Sequence, residues 1–149
     1  MKITEIECIP LVIPDFDSEA CSSAQDDLIV KIHTDEGLVG IGETDANPWA
    51  VKGMIEAPGT HCMGLGLKEM LIGADPSDVE GLWLKLYEGS AMNGRRGLGI
   101  HAIGALDMAL WDLRGKSMGL PVWKLLGGAA RKEVTPYASL LPDGRDLES

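Results

Sequence analysis

Two carboxylates, Asp107 and Asp112, stand inside one small-residue, apolar run, AIGALDMALWDLRGKSMGLPVWKLLG, over 102–127. Paired carboxylates are the material of general acid–base and metal chemistry. Five positions apart on a helix, however, they point in directions that differ by about 140°, so they do not face one site together. Asp107 lies nearer the apolar stripe, where an acid caps a neighbouring backbone group or meets a cation. Asp112 precedes Lys116 by four, the spacing of a surface ion pair. His61 and Cys62 are adjacent, but zinc sites want several ligands at a repeating spacing and no second pair follows. His33 falls on the polar face of a strand-like run, His101 opens the long helical run, and no Ser-His-Asp arrangement is legible. Gly94-Arg95-Arg96-Gly97 lacks the preceding strand and the Gly-Lys-Ser/Thr finish of a phosphate loop. Gly64-Leu65-Gly66 is too short for a dinucleotide fingerprint. The residues therefore nominate no catalytic group and no metal ligand.

The elements that would position a site are easier to read. Residues 2–14 are rich in β-branched residues and end at a proline, which predicts a strand, with Pro10 placing it at a sheet edge. Residues 15–27 are polar and acidic without periodicity, a long loop of the kind that carries function. Leu28, Val30 and Ile32 share one face of a second strand, Asp35-Glu36-Gly37 makes a hairpin turn, and 38–43 return as a third strand. Asn47-Pro48 reads as a cap and first turn, and Pro58-Gly59 ends that helix. Thr60 is expected to cap a helix ending near Gly73, and Asp75-Pro76-Ser77-Asp78 to start another whose buried face is Val79, Leu82, Trp83 and Leu86. Ala102, Ala105, Leu106, Ala109, Leu110 and Leu113 then form one stripe, whose alanines let a neighbour approach closely. Gly119 and Pro121 close that helix, a short helical turn runs from Val122 to Leu126, and VTPYASL at 134–140 reads as one more strand.

A chain of 149 residues supports one domain with a real core, and 45% apolar content fits a globular protein. Thirteen basic against 23 acidic residues give a net charge of −10, which argues against nucleic acid and anionic membranes as partners. Cys8, Cys21 and Cys62 show no CxxC spacing and read as free thiols in a reducing compartment. No leader of charged-then-apolar type opens the sequence and no apolar run nears the roughly 18 residues of a membrane span, so the cytoplasm is the expected location.

The joint pattern over 102–127, with its small positions, its acids, Gly115-Lys116 and Leu125-Leu126-Gly127, resembles the signature of the mandelate racemase/muconate lactonizing enzyme group of the enolase superfamily. Trp83 and Tyr87, with Ala-Leu-Trp-Asp at 109–112, look more like the mandelate racemase and acid-sugar dehydratase branches than the dipeptide epimerases. The resemblance covers the whole chain. It implies an α+β capping domain over 1–128, a three-stranded antiparallel meander followed by a helical bundle. Residues 129–149 would begin a (β/α)₈ barrel, with 134–140 as its first strand. A barrel takes about 250 residues. The family's Lys-x-Lys, its three carboxylate metal ligands and its His-Asp dyad lie later in it and have no counterpart here.

In a complete relative, magnesium binds the substrate carboxylate, a Lys or His base removes the α-proton, and the metal stabilises the enediolate, as is general for the superfamily. Loss of a β-hydroxyl gives dehydration; return of a proton gives racemisation or epimerisation. The expected cofactor is Mg²⁺ for the complete enzyme and none for this chain, which is expected to be inactive alone. The expected substrate is a small carboxylate, with a sugar acid first, reached through the barrel; homo-oligomerisation stays open. Two capping loops would close over the barrel mouth and choose the substrate. By position they are 15–27 and 45–51, which nominates Asp15, Phe16, Ser22, Ser23, Asn47 and Trp49 as substrate-selecting residues. The alternative is a free-standing, non-catalytic capping module used for assembly or regulation.

Overall fold

The computed structural model describes residues 1–15, 17 and 25–137. Three strands, β1 (Ile3–Val12), β2 (Asp26–Thr34) and β3 (Val39–Thr44), form an antiparallel meander in the order β1-β2-β3. Alternation does the sorting: Ile6 and Cys8, then Leu28, Val30 and Ile32, turn to one face and are buried. Glu7, Lys31 and His33 turn to the other, where Glu7 lies 3.8 Å from Lys31 and 3.4 Å from His33. Gly37, at φ +80°, makes the turn between β2 and β3. Pro10 sits in β1, an edge strand, where its missing N–H costs no ladder bond.

The helices are α1 (Pro48–Glu56), α2 (Leu67–Leu71), α3 (Val79–Gly89), α4 (Leu98–Met118) and α5 (Val122–Leu125), with a 3₁₀ turn at Ala91–Asn93. All six stripe residues of α4 from Ala102 to Leu113 are fully buried. Their neighbour is β3. A Cβ built on Gly42 would fall on the Ala105 carbonyl, and one on Gly40 on the Ala109 carbonyl. Small residues on the helix and glycines on the strand thus let two backbones touch. Gly119 ends α4 in the left-handed conformation at φ +65°. Among the described residues no helix is long and apolar enough to cross a membrane.

Three expectations shift. Residues 60–66 form a turn, closed by Thr60 N–H to the Gly64 carbonyl and a His61–Gly64 bridge, so only Leu67–Leu71 is helical there. The glycine pair interrupts the run, and the Leu65 N–H is held by the Gly89 carbonyl at 2.9 Å. The cap of α3 is Asp78, accepting from the Gly81 N–H; Asp75 instead accepts from the Ser77 N–H in a local turn. Residues 134–137, where the strand-like VTPYASL run begins, carry no regular secondary structure, because no described strand lies beside them to complete a ladder. The rest of that run is outside the described residues.

Both sheet edges are closed by helix side chains. Lys68 donates to the Ile6 carbonyl at 2.9 Å and Lys52 to the Cys8 carbonyl at 3.1 Å, along β1. Along β3, Lys116 donates to the Val39 carbonyl at 2.7 Å, and Asp112 accepts from the Ile41 N–H at 2.8 Å. Four outward-facing backbone groups that would otherwise help template another strand are thus occupied.

Candidate functional site

An antiparallel meander brings the end of β1, the start of β2 and the end of β3 to one end of the sheet. The stems of the segments 13–25 and 45–51 therefore emerge side by side. Between their stems lies a groove of about 480 Å³ lined by Leu11, Val12, Ile13, Gln25, Asp26, Asp27, Glu43 and Asp45. A second hollow of about 370 Å³ adjoins it through Glu43 and Asp45 and reaches Ile100, His101 and Met108 on α4. Among the described residues, four acidic ones and no basic one line the groove. Acidic residues of this kind disfavour an anion and offer acceptors to hydroxyl groups.

The neck of the first loop is built. The Ile13 N–H donates to the Gln25 carbonyl at 2.9 Å. The Gln25 side chain accepts from the Asp17 N–H at 2.8 Å and donates to the Asp17 carbonyl at 2.7 Å. The connection falls two residues earlier than 15–27, because β1 ends at Val12 and Asp26 and Asp27 already pair with Val12 and Leu11 in the ladder.

Of the six nominated residues, Asp15 is exposed beside this neck, and Trp49 is exposed on the first turn of α1. Asn47 lies at the same end, but its Oδ1 caps α1 by accepting from the Ala50 N–H at 3.1 Å. Phe16, Ser22 and Ser23 lie outside the described residues. Gln25, Glu43 and Asp45 were not nominated. The position of Gln25 at the last step before a strand was the available signal; Glu43 and Asp45 join the site only through the sheet's register.

The remaining candidates have structural partners. His61 Nδ1 accepts from the Met63 N–H at 3.2 Å and lies 3.7 Å from the Cys62 sulfur, in an exposed turn. Among the described residues no three His, Cys, Asp or Glu side chains gather as a metal-holding group. Cys8 is buried, and burial first, with Glu56 second, pushes its thiol up to about 11, which keeps it protonated and inert. The Arg95 guanidinium lies 4.6 Å from the Tyr87 ring, itself stacked on Trp83 at 5.1 Å, so the Gly94–Gly97 turn serves packing. Asp107 and Asp112 both border a groove of about 550 Å³ with Ile41, Met108, Trp111, Val122 and Leu126, more common ground than their angular separation suggests. The Asp112 carboxylate is nevertheless engaged by the Ile41 N–H and by Lys116, at 2.8 and 2.7 Å, so the two form no shared acid–base site.

The family model described as mandelate racemase/muconate lactonizing enzyme, N-terminal domain, matches residues 10–127. A D-galactonate dehydratase family member from Marinomonas sp. (strain MWYL1) is 40% identical over 121 residues, 80% of this chain and 28% of that protein. The L-rhamnonate dehydratase of Saccharopolyspora erythraea is 37% identical over 112 residues, 75% of this chain and 26% of that protein. A racemase from Streptomyces coelicolor A3(2), crystallised with bound magnesium, superposes with a TM-score of 0.70 at 29% identity, over 85% of this chain and 36% of that one. The chain thus spans about a quarter of the length of these two curated relatives.

Proposed function

This chain belongs to the mandelate racemase/muconate lactonizing enzyme family, and from that premise we propose that residues 1–128 are the substrate-capping domain of a magnesium-dependent enzyme acting on a sugar acid. Residues 129–149 would lead into its (β/α)₈ barrel. The chemistry is abstraction of the proton α to a carboxylate, followed by dehydration, with racemisation as the second reading. Magnesium would supply charge stabilisation for the carbanionic intermediate, and the described residues of this chain offer it no ligand set. Its own task is different. The loops at one end of the sheet close over the reacting centre, exclude water and read the part of the substrate remote from the carboxylate.

The observation that carries this reading is the convergence of both loop stems on one acid-walled groove. Asp26, Asp27, Glu43 and Asp45 suit the hydroxyls of a sugar chain and disfavour a second negative charge. The apolar groove formed by β3, α4 and α5, with Trp123 and Leu126 exposed at half their area or more, suits packing against a barrel. Asp15, Phe16, Ser22, Ser23, Asn47 and Trp49 remain the proposed selecting residues. The named relatives are sugar-acid dehydratases and a racemase, which supports the substrate class.

The test is a graft. Residues 1–128 replace the corresponding segment of the L-rhamnonate dehydratase relative, and a panel of sugar acids is assayed with magnesium and with chelator. Magnesium-dependent turnover by the graft, and none by the 149-residue chain alone, is the expected result. A folded graft without turnover, or turnover by the chain alone, overturns the assignment.

A further inference from the structure

A cavity of about 220 Å³ lies between α3 and α4, far in sequence from the loop stems; Glu80 and Trp83 belong to it alone, whereas Asp107 and Trp111 also border the groove assigned above to barrel packing. Each helix offers it one carboxylate and one indole about a turn apart: Glu80 and Trp83 from α3, Asp107 and Trp111 from α4. We propose that this cavity binds a guanidinium group, stacked on the indoles and forked by the two carboxylates.

Four observations support the assignment. Glu80 and Asp107 have no ion-pair partner among the described residues, although four other acids of the chain do. Burial, and then the Glu80 charge, raise the Asp107 carboxyl above its ordinary range, so a cation placed between the two relieves a repulsion already present. Aromatic rings in this region already attract guanidinium groups: Arg114 lies 5.5 Å from the Trp111 ring, and Arg95 4.6 Å from Tyr87, which stacks on Trp83. Neither arginine forms an ion pair with Glu80 or Asp107, so the carboxylates stay available. A flat guanidinium with five donors matches two indole walls and two carboxylates better than a compact ammonium does.

The guanidinium could be a free small molecule or an arginine of a second copy of this chain. The test uses the intact chain, labelled with ¹⁵N and titrated with methylguanidinium, with N-methylurea as the neutral near-isostere. The four indole N–H signals of Trp49, Trp83, Trp111 and Trp123 are followed. Methylguanidinium should shift Trp83 and Trp111 saturably and leave Trp49 and Trp123 in place, while N-methylurea shifts none. Glu80→Gln, at an exposed position, should weaken binding about fivefold with an unchanged circular dichroism spectrum. Sedimentation separates the sources: a dimer dispersed by methylguanidinium assigns the group to a second copy, and a monomer that binds it assigns a free ligand. Non-saturating shifts, equal shifts of all four indoles, an equal response to N-methylurea, or unaltered affinity in a folded Glu80→Gln protein would overturn the proposal.

Discussion

Asp107 is the residue at which folding and titration are coupled most visibly. Its carboxyl is raised above 3.8 by burial first and by Glu80 second. The folded state therefore holds this proton more tightly than the unfolded chain does. The resulting stabilisation is present in acid and is lost as pH rises from 3.8 through the higher folded value, so at neutral pH the ionised group opposes folding. Asp107→Asn should raise the thermal midpoint at pH 7 and flatten its change between pH 4 and 7; an unchanged or lower midpoint would contradict this. Gly42 makes a sharper case. Gly42→Ala places a methyl group on the Ala105 carbonyl and should cost about 3 kcal/mol by urea unfolding, since two backbones must separate. Asn47→Ala should cost about 1 kcal/mol through the lost cap of α1. Any specificity effect of that substitution has to be read against the stability loss, whereas Trp49, exposed and unbonded in the cap, gives a cleaner probe of substrate choice.

At the scale of elements, the two sheet edges carry the prediction. Asp112→Ala removes the acceptor for the Ile41 N–H and frees Lys116 from its ion pair. Stability should fall by about 1 kcal/mol, and the Ile41 amide should exchange faster with solvent. Unchanged exchange at Ile41 would show that water replaces the carboxylate without loss. The i,i+4 spacing of Asp112 and Lys116 was legible as an ion pair, yet its grip on β3 was not, because the partner N–H lies 71 positions away. The same limit explains the shortened helix at 60–73. Leucines and a methionine at helical spacing promise a longer helix, but the backbone bond from Leu65 to Gly89 is a tertiary matter. At the start of α3, two acids three positions apart both qualify as caps, and only the backbone conformation after Pro76 decides for Asp78. The order of the meander, by contrast, was legible, since strict alternation puts Leu28, Val30 and Ile32 on one buried face, although β1 stops at Val12 and β2 starts at Asp26.

For the molecule as a whole, the stripe from Ala102 to Leu113 determines how far sequence reading reached. It predicted a close neighbour, and the glycines of β3 are that neighbour. Of the candidate site, only the placement of the loop stems was legible, because it follows from the order of strands. Its acid wall was not, because Asp26, Asp27, Glu43 and Asp45 come from separate stretches that only the folded sheet assembles. That wall gives the account its most specific consequence, a preference for substrates with one carboxylate. The decisive measurement is kcat/KM of the grafted dehydratase for a sugar monoacid and for the diacid of the same hydroxyl configuration. The account predicts that residues 1–128 shift the ratio toward the monoacid relative to the parent enzyme, and that Glu43→Gln with Asp45→Asn reverses part of the shift. A ratio identical to the parent's, or one moved toward the diacid, would contradict it.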